Sequence, residues 1–486
     1  MLRRRPGMAE RRVHPTLDDP VVAALSEGVG GPVGPRASGH PWWTPVRVVL
    51  ALAALCFALG MVQKWPCVPG REGAADTQYS AMCYSDMRFQ YTGRGLLERA
   101  PLYTDDPAVR ARHRTTEYPV GIAYWQWGTA WVTHALVGFP DLAERASVPV
   151  EDLAGRPDVV RETRIFVIVN ALGLAAVTLL AAWFLTRVNP GRPWDAAPFA
   201  LSPALALSGL VNWDLLAVVL VAAALWAWAR DRPVLTGVLI GVGAATKLYP
   251  LFLLGGILVI CLREGRLRDV ARSTAAAALA WLVLNAPAYV ASGSAWAEFW
   301  RFNQDRGPDL GSIWLVLAQA GDLTISAEQV NRGSLLFFGA WCLGVLVLGL
   351  RAPETPRLAQ LGLLIVAGFL LVNKVYSPQY VLWLLPLAAL ARPRWRDHLV
   401  WQGSEVFYFA AVWWYLGGYL APAAGDDAGV YWLAILLRLA SQLWLVAVVV
   451  RDIARPAYDP VRAGSGYGSL APTGSEPLAR EAPSSR

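Results

Sequence analysis

Acidic, amide and cationic residues stand beside apolar segments at several separate places along the chain. A carboxylate in such a place suits a general base, and a Lys or Arg suits the stabilisation of developing negative charge. Ionisable groups at membrane depth are costly and typically line a cavity. The candidate residues are Asp86, Glu117, Asn212, Asp214, Lys247, Tyr249, Arg306, Asn373, Lys374 and Gln379. Acids and cations together favour acid–base chemistry on an anionic substrate.

Each candidate also has an ordinary structural explanation. Lys247 and Lys374 suit anchors that snorkel at helix ends, and Asp214 suits the cap of a following helix. Asp86 is compatible with a solvated loop acid, and the Asp-Asp-Pro segment at 105–107 supplies competing acids, although it is typical of a turn. The case for a site therefore depends on whether the candidates share one face of the molecule.

The composition defines the elements that must position these residues. Of 486 residues, 55% are hydrophobic and only 16% are charged, whereas soluble proteins carry about 25% charge. Apolar runs of about 18 residues or more recur, and each is long enough to cross about 30 Å of hydrocarbon as a helix. The net charge of +7 is dispersed at helix ends, which favours a topological role over nucleic-acid binding. We predict an all-α, polytopic membrane protein and exclude a soluble enzyme.

The apolar runs predict about 12 transmembrane helices in one domain, 45–451, between disordered tails at 1–44 and 452–486. The first span is predicted at 46–63. The others are predicted at 165–186, 197–211, 215–229, 233–247, 250–262, 270–290, 331–350, 357–372, 379–391, 403–420 and 430–450. The pair flanking Asn212–Asp214 is also compatible with a hairpin that does not span fully.

The short loops rich in Arg set the predicted orientation. They lie at 230–232, 263–272, 351–357 and 392–396, and the positive-inside rule places them in the cytoplasm together with both tails. With this orientation the candidate residues all fall on the outer side of a plasma membrane.

The apolar stretch 119–138 would reverse this orientation if it crossed the membrane. We therefore interpret it as an interfacial or re-entrant helix, and its Trp125, Trp127 and Trp131 favour the headgroup level. The result is one long outer loop, 64–164. Cys67 and Cys83 flank a polar stretch within it, and in an oxidising compartment they can form a disulfide. We find no spacing typical of a zinc or calcium site, and we expect no cofactor.

Several segments resemble glycosyltransferase family 87, within the GT-C class of membrane glycosyltransferases. They are YSDMRFQYTGRGLLERAPLYTDD at 84–106, TTEYPVGIAY at 115–124, KLYPLFLL at 247–254 and NKVYSPQYVLWLLPL at 373–387. The resemblance covers roughly 45–450. That family contains polyprenyl-phosphate-mannose-dependent mannosyltransferases and actinobacterial relatives. Many GT-C enzymes carry two acids in the first outer loop, but here Met87 follows Asp86, so the base assignment stays open between Asp86 and Glu117.

The resemblance implies inverting transfer of a sugar, mannose by analogy, from a polyprenyl-phosphate donor to a glycolipid or glycan of the cell envelope. Asp86 or Glu117 would be the base, and the donor would be bound by Asn212, Asp214, Lys247, Tyr249, Arg306, Asn373, Lys374 and Gln379. No G-x-G-x-x-G nucleotide motif occurs between a strand and a helix. The alternative is a transporter or flippase of a lipid-linked sugar or another anion, although we see no internal repeat of the kind common in transporters.

Overall fold

The computed structural model describes residues 18–29, 40–71, 77–420 and 428–463. Within these ranges the chain is helical and contains no strand, which confirms the all-α prediction. Two short 3-10 helices, Trp65–Cys67 and Leu96–Glu98, lie in the first third of the chain. Its α-helices are α1 (Pro20–Val29), α2 (Pro45–Lys64), α3 (Asp86–Gly93), α4 (Pro107–Arg112), α5 (Val120–Val137), α6 (Leu142–Ala146), α7 (Val150–Leu153) and α8 (Pro157–Val188).

The middle of the chain alternates short apolar helices with polar turns. Pro193–Ala196 and Tyr249–Phe252 are 3-10 helices. The α-helices are α9 (Ala197–Ala200), α10 (Pro203–Ser208), α11 (Leu215–Trp228), α12 (Pro233–Thr246), α13 (Leu253–Glu264) and α14 (Leu267–Ala291).

The last part contains both exposed short helices and long apolar helices. Pro378–Tyr380 and Pro456–Tyr458 are 3-10 helices. The α-helices are α15 (Gly293–Trp296), α16 (Glu298–Asp305), α17 (Ile313–Ala320), α18 (Ala327–Arg351), α19 (Leu358–Val372), α20 (Val381–Ala391), α21 (Trp395–Leu416), α22 (Gly429–Ala454) and α23 (Pro460–Ala463). α19 and α20 are buried on nearly every side, as expected for helices that are apolar all round.

Five described helices are long and apolar enough to cross a membrane. They are Pro45–Cys67, Pro157–Val188, Leu267–Ala291, Ala327–Arg351 and Gly429–Ala454. The predicted count of about 12 is therefore not confirmed. Several apolar runs form helices of 11 to 15 residues instead, which are too short for a full crossing.

The predicted span 197–211 is not one helix. Ser202 accepts a hydrogen bond from the amide of Leu205 and caps α10, and Pro203 occupies the first turn of that helix. Because proline cannot donate to the preceding turn and a capping serine starts a new helix, the run divides into α9 and α10. The polar turn that follows, Asn212–Asp214, is buried inside the bundle.

The four Arg-rich loops meet at one end of the bundle. Arg266 pairs with Asp231 at 3.2 Å, and Arg263 donates to the carbonyl of Ala352 at 2.6 Å. Arg357 donates to the last carbonyl of α20 at 2.8 Å, immediately before the fourth loop. The loops therefore share one end, as the positive-inside pattern requires.

α5 does not carry the chain to the Arg-rich end. Arg112, which precedes α5, donates to the carbonyls of Arg145 and Val148, which follow it, at 2.9 and 2.7 Å. Arg145 in turn donates to the carbonyl of Leu97 at 2.7 Å. The segments on both sides of α5 therefore lie together, at the end of the bundle opposite to the Arg-rich loops.

Part of each predicted tail is ordered, which corrects the boundaries 1–44 and 452–486. Asp19 caps α1 and also accepts a hydrogen bond from the amide of Trp395 at 3.1 Å. Asp452 pairs with Arg392 at 2.9 Å, and a buried Asp459 pairs with Arg357 at the same distance. These contacts join the described residues 18–29 and 452–463 to the bundle, and the Arg partners of Asp452 and Asp459 compensate the burial of those two carboxylates. Residues 1–17, 30–39 and 464–486 lie outside the described residues.

Candidate functional site

A cavity of about 600 Å³ lies at the end of the bundle opposite to the Arg-rich loops. Nine of the ten predicted site residues line it, although they come from distant parts of the sequence. They are Asp86, Glu117, Asn212, Lys247, Tyr249, Arg306, Asn373, Lys374 and Gln379. Aromatic side chains of the 3-10 helices and of α16 supply much of the remaining wall.

Asp86 is the first residue of α3. The Ser85 hydroxyl accepts from the amide of Met87 and so caps the helix, and the Asp86 amide donates to the carbonyl of Val211 at 2.8 Å. The carboxylate accepts a hydrogen bond of 2.6 Å from the hydroxyl of Tyr118. These contacts present a carboxylate to the cavity in one fixed position.

Burial raises the pKa of Asp86 above its ordinary value, although hydrogen bonds from Tyr118 and Tyr84 and the charge of Lys247 act in the opposite direction. Burial and the Asp86 charge raise the pKa of Tyr118 well above its usual value. The Tyr118 hydroxyl therefore stays protonated and donates to Asp86. This role of Tyr118 was not predicted from the sequence.

Three contacts join the end of the first span to the segment before Asp86. Cys67 and Cys83 form a disulfide. Gln63 Nε2 donates to the carbonyl of Met82 at 2.7 Å, and Lys64 Nζ donates to the carbonyl of Tyr84 at 3.0 Å. The position of Asp86 is thereby coupled to a membrane helix rather than to a free loop.

Glu117 lines the same cavity but has strong partners of its own. Arg94 pairs with one carboxylate oxygen at 2.6 Å, and Gln90 Nε2 donates to the other at 3.0 Å. Both oxygens of this carboxylate already have protein partners. Glu117 therefore suits the positioning of this wall, and Asp86 is the freer of the two acids.

Asp214 is the predicted residue that does not line the cavity. Its side chain is fully buried behind Lys247, with Nζ at 3.0 Å, and it accepts from Trp383 Nε1 at 2.8 Å. It precedes α11, but its carboxylate makes no capping hydrogen bond. The prediction that Asp214 binds the donor directly is therefore corrected: this buried carboxylate needs a cation, and it acts by holding Lys247.

Lys374 and Arg306 lie on another part of the wall, and each already has a protein partner. Lys374 Nζ donates to the carbonyl of Asn303 at 2.6 Å, at the carboxyl end of α16. Arg306 pairs with Asp309 at 2.6 Å. Partial burial and the charge of Arg306 lower the pKa of Lys374. A bound anion would have to compete with these partners.

Stacked aromatic rings form one side of the cavity. Tyr249 lies parallel to Trp383, with ring centroids 4.6 Å apart, and Tyr380 stacks on Trp383 with centroids 4.1 Å apart. The Tyr249 hydroxyl and Gln379 Oε1 are buried without a protein hydrogen-bond partner. Because an unpaired buried polar atom is costly, both atoms suit hydrogen bonds to a polar ligand such as a sugar.

Two tryptophans of α5 do not line the cavity. Trp125 donates to Asn170 at 3.0 Å, and Trp127 packs against Trp131. The missed partners, such as Arg94 and Trp383, carry no sequence signal, because tertiary contacts alone bring them to the site. Within the described part of the chain, no group of three or more His, Cys, Asp and Glu side chains is placed to hold a metal ion.

The sequence of the central part matches a known family. Residues 159–378, somewhat less than half of the chain, match the profile of glycosyltransferase family 87. The match includes Lys247, Arg306 and Lys374 and leaves out Asp86 and Glu117. No curated protein matches the chain significantly. The apolar helices and this match indicate a membrane glycosyltransferase.

Proposed function

We propose that the protein transfers a sugar from a polyprenyl-phosphate donor to a glycolipid or glycan acceptor. The observation that carries the proposal is the convergence of Asp86 with three cations on one cavity. A base alone suits many reactions, but a base that faces several cations suits a transfer in which a phosphate leaves. The family resemblance favours mannose as the sugar and inversion at its anomeric carbon.

Asp86 is the proposed general base. It takes the proton of an acceptor hydroxyl while that oxygen forms a bond to C1 of the sugar. The bond between C1 and the phosphate oxygen breaks, and the electron pair leaves with the polyprenyl phosphate. Glu117, held by Arg94, is the less suitable base.

Lys247, Arg306 and Lys374 are the proposed ligands of the donor phosphate. Lys247 is held by Asp214 behind it, so its charge is already oriented toward the cavity. Arg306 and Lys374 would exchange their present partners for phosphate oxygens, and a guanidinium can bind phosphate through two hydrogen bonds. We assign the orientation of the sugar to the amides of Asn212, Asn373 and Gln379 and to the Tyr249 hydroxyl. All four residues line the cavity.

We further propose that the cavity faces the outer side of the plasma membrane and that both chain ends face the cytoplasm. The clustering of the Arg-rich loops at the opposite end of the bundle supports this orientation. Asp18 and Asp459, near the first and last described residues, contact Arg394 and Arg357 at that same end.

The function is tested with a radiolabelled polyprenyl-phosphate mannose in membranes that contain the protein. Label transferred to an acceptor glycolipid or glycan is the expected result, with release of polyprenyl phosphate. Movement of the donor across the membrane without chemistry would contradict the proposal and support a flippase. Membranes that contain a D86N variant are the matched control, because the substitution removes only the charge of the proposed base.

The pH profile is expected to identify the base. A raised Asp86 pKa means that the basic form is lost as the pH falls through that raised value, so the acid limb of kcat should lie above the ordinary carboxylate range near ~4. Tyr118→Phe removes a hydrogen bond that stabilises the charged form, and we expect the limb to move upward by about one pH unit. The measurement is the transfer rate of both proteins between pH 4 and pH 9. If Tyr118→Phe does not shift the acid limb of the pH profile, the result would favour Glu117 as the base.

A further inference from the structure

An arginine is completely buried in the bundle below the cavity. Arg438, in α22, has no exposed surface. Its guanidinium donates to the carbonyl of Gly311 and to Gln442 Oε1, both at 3.2 Å, and lies 3.8 Å from the centre of the Tyr376 ring. Buried charges inside a membrane bundle are costly and typically functional. Arg438 does not line the cavity, so the proposed reaction does not use it directly.

A buried carboxylate faces the same tyrosine. The Tyr376 hydroxyl hydrogen bonds to Glu405 in α21, with Oε1 at 2.9 Å. Trp401 Nε1 donates to the same oxygen at 3.2 Å. Tyr376 is therefore held by a cation against its ring and a carboxylate at its hydroxyl. This arrangement fixes a residue that lies two positions after Lys374.

The two loops that carry the outer cations are joined to each other. The amide of Asp309 donates to the carbonyl of Lys374 at 2.8 Å, and the amide of Tyr376 donates to the carbonyl of Leu310 at 2.6 Å. Because the loops are paired, a displacement of one moves the other. Arg438 contacts both loops, through Gly311 and through Tyr376.

The contact at Gly311 is close enough to exclude a side chain. Its φ is +70°, and a Cβ atom there would lie 2.0 Å from the Tyr408 hydroxyl and 2.5 Å from the carbonyl of Tyr376. The Gly311 amide donates to the Tyr431 hydroxyl at 2.9 Å. The loop that contains Gly311 therefore packs directly against the residues around Arg438.

We propose that Arg438 is a positioning residue that fixes the loops carrying Arg306 and Lys374 and so sets the affinity for the donor phosphate. The inference rests on the proposed function. It adds a role for a residue that touches neither substrate nor cavity. The guanidinium is suited to this role because one planar group stacks on Tyr376 while it hydrogen bonds to the other loop.

The test compares the binding of farnesyl phosphate by the full-length protein and by Arg438→Met in detergent. We expect the Kd for farnesyl phosphate to rise about tenfold. In the transfer assay the donor KM should rise similarly, while kcat changes less than about threefold, because Asp86 and Lys247 stay in place. Arg451→Met, the same change near the carboxyl end of α22, is the matched control and should leave the Kd and the donor KM within about twofold.

The possible outcomes separate the inference from the proposed function. If the unmodified protein does not bind farnesyl phosphate, the polyprenyl-phosphate donor is wrong and the inference falls with it. If both proteins bind it equally, the inference alone is overturned. Should Arg438→Met not fold, Arg438→Lys keeps the buried charge but loses the planar guanidinium. We expect the same weakening there, and unchanged binding by Arg438→Lys would overturn the inference.

Discussion

Replacing Asp86 with Asn is expected to lower kcat by about 10²–10⁴-fold, the usual contribution of a positioned general base. The amide oxygen can still accept the hydrogen bond of 2.6 Å from Tyr118, so α3 and the cavity wall should keep their structure. What the variant loses is the ability to take a proton from the acceptor hydroxyl. The measurement is the rate of sugar transfer by purified protein at saturating donor.

The control for this experiment is Asp106→Asn, in the same outer loop. Asp106 caps α4 by accepting from the amide of Ala108 at 2.8 Å, and Asn caps a helix about equally well. We expect Asp106→Asn to retain full activity. If Asp86→Asn retained activity while Glu117→Gln lost it, the base would be Glu117, and the ion pair with Arg94 would have to open during the reaction.

The second large effect is expected at Lys247. Lys247→Met should lower kcat by about 10²–10³-fold, because the leaving phosphate loses a preorganised cation. The same substitution leaves the Asp214 carboxylate buried without its partner, which is expected to destabilise the protein by about 3–5 kcal/mol. A single variant therefore cannot separate catalysis from folding.

The double variant Lys247→Met with Asp214→Asn separates the two effects. Removing both charges should restore most of the thermal stability, because no unpaired charge is then buried. Activity should stay low, because the phosphate still lacks its cation. The measurements are the unfolding temperature in detergent and the transfer rate. Recovery of activity together with stability would show that Lys247 has only a structural role.

The cavity combines two kinds of surface that a lipid-linked sugar requires. Its lining contains charged and amide groups together with the stacked rings of Tyr249, Trp383 and Tyr380. Aromatic rings with a polar group at the edge suit a boundary between water and hydrocarbon. This combination is consistent with a donor whose sugar and phosphate bind at the cavity while its chain stays in the bilayer.

The sequence alone indicates a membrane protein and supplies the candidate residues of its site. Low charge and long apolar runs predict membrane helices, because hydrocarbon excludes unpaired backbone groups. The loops rich in Arg predict which ends of the helices lie together, and the structure places these loops at one end. Residues such as Asp86 and Lys247 become candidates from sequence because ionisable groups beside apolar runs are costly and typically line a cavity.

The contacts among these residues could be assigned from the three-dimensional structure but not from the sequence. Asp214 is fully buried behind Lys247, although its position before α11 suggested a cap or a ligand. The ion pair between Glu117 and Arg94 could not be predicted from the sequence. The contacts of Arg438 with the two loops could not be predicted either. Ion pairs and ring stacking depend on distances between helices that are remote in the chain. The periodicity of a sequence predicts which face of a helix is buried, but not which other helix packs against that face. The same reason explains the broken span at 197–211, since prolines and a capping serine permit a break and packing against the bundle stabilises it.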